Sequence, residues 1–161
     1  MGRVTSLFLK ELDKLNDNII IIATTNLFQN FDKALIRRFD ALVSFDRYSK
    51  KDLIDVADSI LTASLRKVNN LKQDLRLFNK ILNKVEKIPY PGDLKQIIKT
   101  SIAFSDDSNE YDYLRKIYLS LNGNPEKIDI QKLNESGYTT REIEILTRIP
   151  KSSVSRKLKG N

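Results

Sequence analysis

Two stretches carry residues that could do chemistry. In the first, Asn26 closes the run Asn18-Ile19-Ile20-Ile21-Ile22-Ala23-Thr24-Thr25-Asn26, and Arg37 and Arg38 follow about ten residues later in Ala34-Leu35-Ile36-Arg37-Arg38-Phe39-Asp40. Four consecutive isoleucines read as a strand buried on both faces, as in a parallel sheet. A polar Thr-Thr-Asn at its carboxyl end stands where open α/β sheets place their ligands. In the second, Lys151, Ser152, Ser153, Ser155, Arg156, Lys157 and Lys159 cluster near the carboxyl terminus, with four cations, hydroxyls and no acid among them. That is the chemistry of contact with a polyanion. There is no cysteine and no histidine, which removes thiol chemistry, the usual metal ligand and the usual neutral-pH base.

Other chemistry is missing from the sequence. The phosphate-cradling pattern G-x-x-x-x-G-K-[ST] does not occur. No apolar strand ends in an Asp-Glu pair that would hold magnesium and activate water.

The chain of 161 residues is long enough for one domain or two small ones. Its 40 % hydrophobic content permits a core, and 30 % charged residues keep it soluble. The net charge of +7 favours a polyanionic partner modestly. An AT-rich genome by itself enriches Lys, Asn and Ile, so charge alone is weak evidence. No apolar run approaches the length of a membrane span. Met1-Gly2-Arg3-Val4 leads into an amphipathic pattern and not into a signal peptide, so a cytoplasmic protein is expected.

The elements that must position these residues read as follows. Val4 to Leu15 is helical, with Val4, Leu7, Phe8, Leu12 and Leu15 on one face. Asn16-Asp17-Asn18 is a turn, and Ile19–Ala23 is the buried strand. Asp32 caps a short helix from Lys33 to Arg38. Ala41–Phe45 alternates as a second strand, Asp46-Arg47-Tyr48-Ser49 is a loop, and Ser49 caps the next helix. From Lys50 every pattern is helical. Leu53, Ile54, Ala57, Ile60, Leu61 and Leu65 form one stripe, and Leu75, Phe78, Ile81, Leu82 and Val85 a second. Asp93 starts a third helix with Leu94, Ile97, Ile98 and Ile102, and Tyr111 to Leu121 gives a fourth. Asn122-Gly123-Asn124-Pro125 is the clearest linker.

The ordered set of buried strand, Asn26 and Ala34-Leu35-Ile36-Arg37-Arg38-Phe39-Asp40 resembles the second half of an AAA+ ATPase module, over roughly residues 4 to 105. Asn26 resembles sensor 1, and Arg37 and Arg38 resemble arginine fingers. Pro91-Gly92-Asp93-Leu94-Lys95 resembles the segment that carries sensor 2 in relatives, with Lys95 in place of arginine. The resemblance implies ATP and Mg2+ as cofactors of the complete module, none for this chain alone, and a ring-shaped homo-oligomer. It fits the chemistry, because phosphoryl transfer needs positioning and cationic stabilisation more than covalent help. An amide such as Asn26 orients water, and an arginine from a neighbouring subunit neutralises developing charge. The resemblance also implies a sheet whose middle strand, the one bearing the phosphate loop, is absent here. Ile19–Ala23 and Ala41–Phe45 would then flank a gap with unpaired edges.

Near the carboxyl terminus, Gly137 to Lys159 resembles a helix-turn-helix. Thr139-x-x-Glu142 is a capping box. Ile143 and Leu146 face inward, Ile149 fills the turn, Pro150 opens the second helix, and Val154 and Leu158 form its buried face. Such motifs place glycine in the turn, where a left-handed backbone is needed. Arg148 stands there instead, at a cost of about 1 kcal/mol. On this reading Arg156 reads bases and Ser152 and Ser153 meet a phosphate.

The expected fold is therefore mainly α, with a two-strand remnant of an AAA+ α/β sheet in residues 1–48, a helical lid in 49–121 and a helix-turn-helix unit in 126–161. The expected function is the C-terminal part of a DNA-associated AAA+ ATPase. The isolated chain is expected to be inactive, and no membrane is involved. Two other readings compete. One is a non-enzymatic DNA-binding or regulatory protein with the AAA+ remnant as scaffold. The other is a gene fragment from a degraded or mobile element, with no function of its own.

Overall fold

The computed structural model describes residues 3–16, 18–45, 47–123 and 128–160, with side chains from residue 6 onward. The side chain of Val4 from the expected stripe, Asp17 of the expected turn, Asp46 of the expected loop, and Asn124 and Pro125 of the expected linker fall outside these. The chain forms two compact units, residues 1–47 and 48–161.

In the first unit, α1 (Arg3–Leu12) is followed by chain without regular structure, a short 3-10 turn at Phe28–Asn30, and α2 (Lys33–Ile36). Asp32 caps α2 by accepting from the Ala34 amide at 2.8 Å, as its position implies. The two expected strands do not form: residues 19–23 and 41–45 have no strand structure. Ile20 and Ile22 are 88 % and 86 % exposed, and Leu42, Val43 and Phe45 are exposed as well. The physical reason is pairing. A strand leaves its amides and carbonyls unmet without a neighbour, and even two strands are marginal alone. The expected apolar face of α1 is open too, with Leu7, Phe8 and Leu15 exposed and Leu9 buried instead. Without a sheet there is nothing for that face to cover.

In the second unit every regular element among the described residues is a helix. Its elements are α3 (Lys50–Leu65), α4 (Leu75–Lys84), α5 (Pro91–Ala103), α6 (Asp112–Leu121), α7 (Ile130–Glu135), α8 (Thr140–Thr147) and α9 (Lys151–Lys159). Caps explain most of the starts. Ser49 and Asp52 form a capping box on α3, Asp74 accepts from the Leu77 amide on α4, and Pro91 fixes the first turn of α5. Helix α5 thus begins two positions before Asp93.

Helix α3 packs on α4 and α5, and α6 closes the set by packing on both. Helix α8 then packs on α6, α9 packs on α8, and α7 packs on both α8 and α9. One continuous core runs through all seven helices, from Leu53, Ala57 and Leu61 through Phe78, Ile98 and Leu114 to Ile143, Leu146 and Val154. The fold is mainly α, as expected.

Candidate functional site

Helices α8 and α9 are joined by Arg148, Ile149 and Pro150. The Thr139–Glu142 capping box starts α8, and Ile143, Leu146 and Val154 are fully buried. Leu158 and Ile149 pack partly buried against the same core. That burial leaves the other face of α9 to water. Lys151, Ser152, Arg156, Lys157 and Lys159 are exposed, and Ser153 and Ser155 are half-buried. None of the four cations forms a side-chain ion pair among the described residues. Elsewhere in this unit Lys72, Lys80, Lys116 and Arg148 all do.

Arg148 adopts the left-handed conformation that the sequence reading assigns to its position, with φ 60° and ψ 14°. Its guanidinium explains why a residue other than glycine stands there. Nη2 donates to Asp112 Oδ1 at 2.7 Å and Nε donates to the same oxygen at 3.2 Å. Asp112 is completely buried at the start of α6, and its other oxygen accepts from the Asp106 amide at 3.0 Å. Hydrogen bonding and charge from Asp112 hold the Arg148 guanidinium even more firmly protonated than usual.

A second polar link lies across α4 and α8. Lys80 Nζ donates to Glu142 Oε2 at 2.6 Å, and the Thr139 amide donates to the same oxygen at 2.7 Å. Burial pushes the Glu142 carboxyl up, but the Lys80 ammonium and the Thr139 donors outweigh it and hold it below the usual range. The Lys80 ammonium also sits 5.0 Å from the centre of the Tyr138 ring, which meets Tyr118 edge-on at 6.4 Å. Nothing in the sequence marks Asp112, Lys80 or Tyr118 as partners of the α8–α9 pair. The left-handed Arg148 was the one available signal, since an arginine held in that conformation implies a partner.

The first-stretch residues lie elsewhere. Asn26 is exposed in a bend of the first unit. Arg37 is exposed at the end of α2 and makes no ion pair among the described residues. Arg38 is engaged: its Nε and Nη2 donate to the two carboxylate oxygens of Asp13 at 2.6 and 2.9 Å. Its Nη1 donates to the Ala34 carbonyl at 2.9 Å. The Asp13 hydrogen bond raises the Arg38 guanidinium pKa, and Arg38 lowers that of Asp13. Lys95 is exposed on α5 in the second unit.

Residues 1–47 match the family model of the ATPase family associated with various cellular activities (AAA). That part of the chain is related to AAA-type ATPases, whose complete modules use a nucleotide and Mg2+. Comparison with curated proteins and with solved structures gives no match. The residues present do not fit a nucleotide and its metal by themselves. The sequence has no phosphate-cradling loop. Among the described residues no group of three or more acidic side chains is placed to hold a metal ion. No helix among them is long and apolar enough to cross a membrane.

Proposed function

We propose that this chain carries the sensor and arginine-finger portion of a DNA-associated AAA+ ATPase, with α8 and α9 as its helix-turn-helix contact to duplex DNA. The observation that carries the DNA contact is the exposed face of α9. Four cations stand there without an ion-pair partner among the described residues, on a helix whose opposite face is anchored by Val154. A basic helix fixed by its buried side is what major-groove docking requires. The match of residues 1–47 supports the ATPase relation. Within it Arg37 is the better finger, because Arg38 is already engaged by Asp13. Asn26 and Lys95 are the proposed sensors, each active only in a complete module that supplies the phosphate loop and metal-binding strand absent from this sequence.

The test is a titration of labelled duplex DNA with the 161-residue chain at several salt concentrations. Binding is expected near 10⁻⁴–10⁻⁶ M at physiological salt, tightening steeply as salt falls. Absence of binding at low salt would remove the DNA contact from this reading.

One observation favours the alternative of a non-enzymatic DNA-binding scaffold. The second unit has a complete core of its own, whereas the first exposes the isoleucines that would support Asn26.

A further inference from the structure

The turn that leads into α9 has no free amide for a phosphate. The Arg148 amide donates to the Glu144 carbonyl at 2.8 Å. The Ile149 amide donates to Thr147 Oγ1 at 3.2 Å. Pro150 has no amide proton. The Lys151 amide, at the first position of α9, donates to Glu144 Oε1 at 2.9 Å. Glu144 thus clasps both ends of the turn, by its carbonyl at the end of α8 and by its carboxylate at the start of α9. A carboxylate at a helix N-terminus occupies the position and the partial charge that an anion would seek.

From this, and resting on the DNA reading above, we infer that Glu144 is a built-in competitor for phosphate. It takes up the first amide of α9, places a negative charge beside that end and shifts the DNA contact to the C-terminal half of the helix, at Arg156, Lys157 and Lys159. Ser152 and Ser153 then stand beside a negative charge and are poor phosphate ligands. The geometry separates two kinds of contact. At 1.5 Å of rise per residue, Arg156 lies about 7 Å along the axis from Lys151 and Lys159 about 12 Å. The first turn of α9 lies well within the screening length of Glu144 at moderate salt, about 10 Å, while Lys159 lies near its limit. Glu144 therefore lowers affinity for any duplex, whatever its sequence, and leaves base reading by Arg156 untouched. Its effect is on overall affinity, by weakening the phosphate share of specific and non-specific binding alike, so the ratio between them stays as it is.

Glu144→Gln tests this directly. Glutamine keeps an oxygen that accepts from the Lys151 amide, so α9 keeps its cap and the charge alone is removed. Duplex DNA of random sequence, titrated at low salt against the full chain, should bind the variant about three- to ten-fold more tightly, as expected for one like charge at this range. The gain should shrink as salt rises. Adding Ser152→Ala and Ser153→Ala to the wild-type chain should change affinity less than two-fold, while in the Glu144→Gln background the same pair should cost more. Circular dichroism and thermal melting check that each variant remains folded. Equal affinity of wild type and Glu144→Gln at low salt would overturn the role of Glu144 and leave the DNA contact standing. A large loss on removing the two serines from the wild type would overturn the shift to the C-terminal half. Absence of binding by wild type and variant alike would overturn the DNA contact itself and the role of Glu144 with it.

Discussion

Arg148 in the turn between α8 and α9 is bonded at 2.7 Å to Asp112, a carboxylate with no exposure to solvent at the head of α6. The pair joins the last helical pair to the α3–α6 bundle, and it does so from a backbone position that ordinarily belongs to glycine. Two opposing terms meet at one residue. The left-handed backbone costs about 1–2 kcal/mol, and the ion pair gives the buried carboxylate its nearest countercharge, the Lys116 ammonium standing at 3.9 Å from its other oxygen. Arg148→Ala keeps the strain and loses the pair. Because the Arg148 side chain is 44 % exposed, the loss should fall below the range for fully buried pairs, at about 2 kcal/mol. Arg148→Gly also loses the pair but relieves the strain, so it should be about 1 kcal/mol more stable than the alanine variant. Denaturant unfolding of both variants measures the difference. Equal stability of Arg148→Ala and wild type would show that the carboxylate finds compensation elsewhere.

Lys80 and Glu142 give the second unit an acid limit. The folded Glu142 carboxyl lies below its ordinary value. A depressed carboxyl contributes stability above the unfolded value of about 4.3 and loses it as pH falls through the lower folded value. The acid limb of a stability curve should therefore fall through that window. Glu142→Gln should flatten it while costing about 1–2 kcal/mol near neutrality. A limb of unchanged steepness in that variant would assign the acid transition to other carboxylates.

Native-state hydrogen exchange should divide the chain. Amides of residues 19–23 have no ladder partners and flank exposed isoleucines, so they should exchange at close to unprotected rates. Amides within α3, α5 and α6 lie in the continuous core and should be the slowest. Strong protection at Ile19–Ile22 in a dilute sample would mean that these residues pair after all.

The isolated chain should release no phosphate from Mg-ATP above background. It lacks a phosphate-cradling loop, and no cluster of carboxylates among its described residues is placed for a metal. Steady-state phosphate release checks this. Turnover that disappears in Arg37→Ala would overturn it, since a contaminating enzyme would not respond to that substitution.

The sequence makes the second unit legible because each of its signals is local. Apolar residues at helical spacing, Ser49 and Thr139 as caps, and Val154 with Leu158 on one face all appear in the structure where the spacing puts them. Helix α7 was missed: it has six residues, too few to show a period, and only Asp129 marks its start. The strands failed for the opposite reason. Four isoleucines in a row carry a strong strand propensity, but a strand exists only with a partner, and partners are not a local property. Within the candidate site, the exposed cations of α9 were legible. Their acid neighbour was not, because Glu144 lies seven positions before Lys151 and meets its amide only once the turn is closed.

The cations of α9 should separate by role under salt. Lys157 and Lys159 carry charge on the exposed face and stand farthest from Glu144 in sequence. If they meet phosphates, each releases about one counterion on binding, and its removal should lower the slope of log affinity against log salt by about 0.9. The loss should be the same for every duplex tested. Arg156 has the fork that pairs with guanine in the major groove. Its replacement by alanine should cost about 1–3 kcal/mol at a preferred site and little on random DNA. Lys151 differs from these three, because its backbone amide is bonded by the Glu144 carboxylate, which sets a negative charge beside the first turn of α9. Lys151→Ala should accordingly change the salt slope by less than Lys157→Ala or Lys159→Ala. Anisotropy titrations of the four variants over a salt series provide the comparison. Four equal slopes, with Lys151 as costly as the rest, would place the phosphate along the whole helix and not at its C-terminal half.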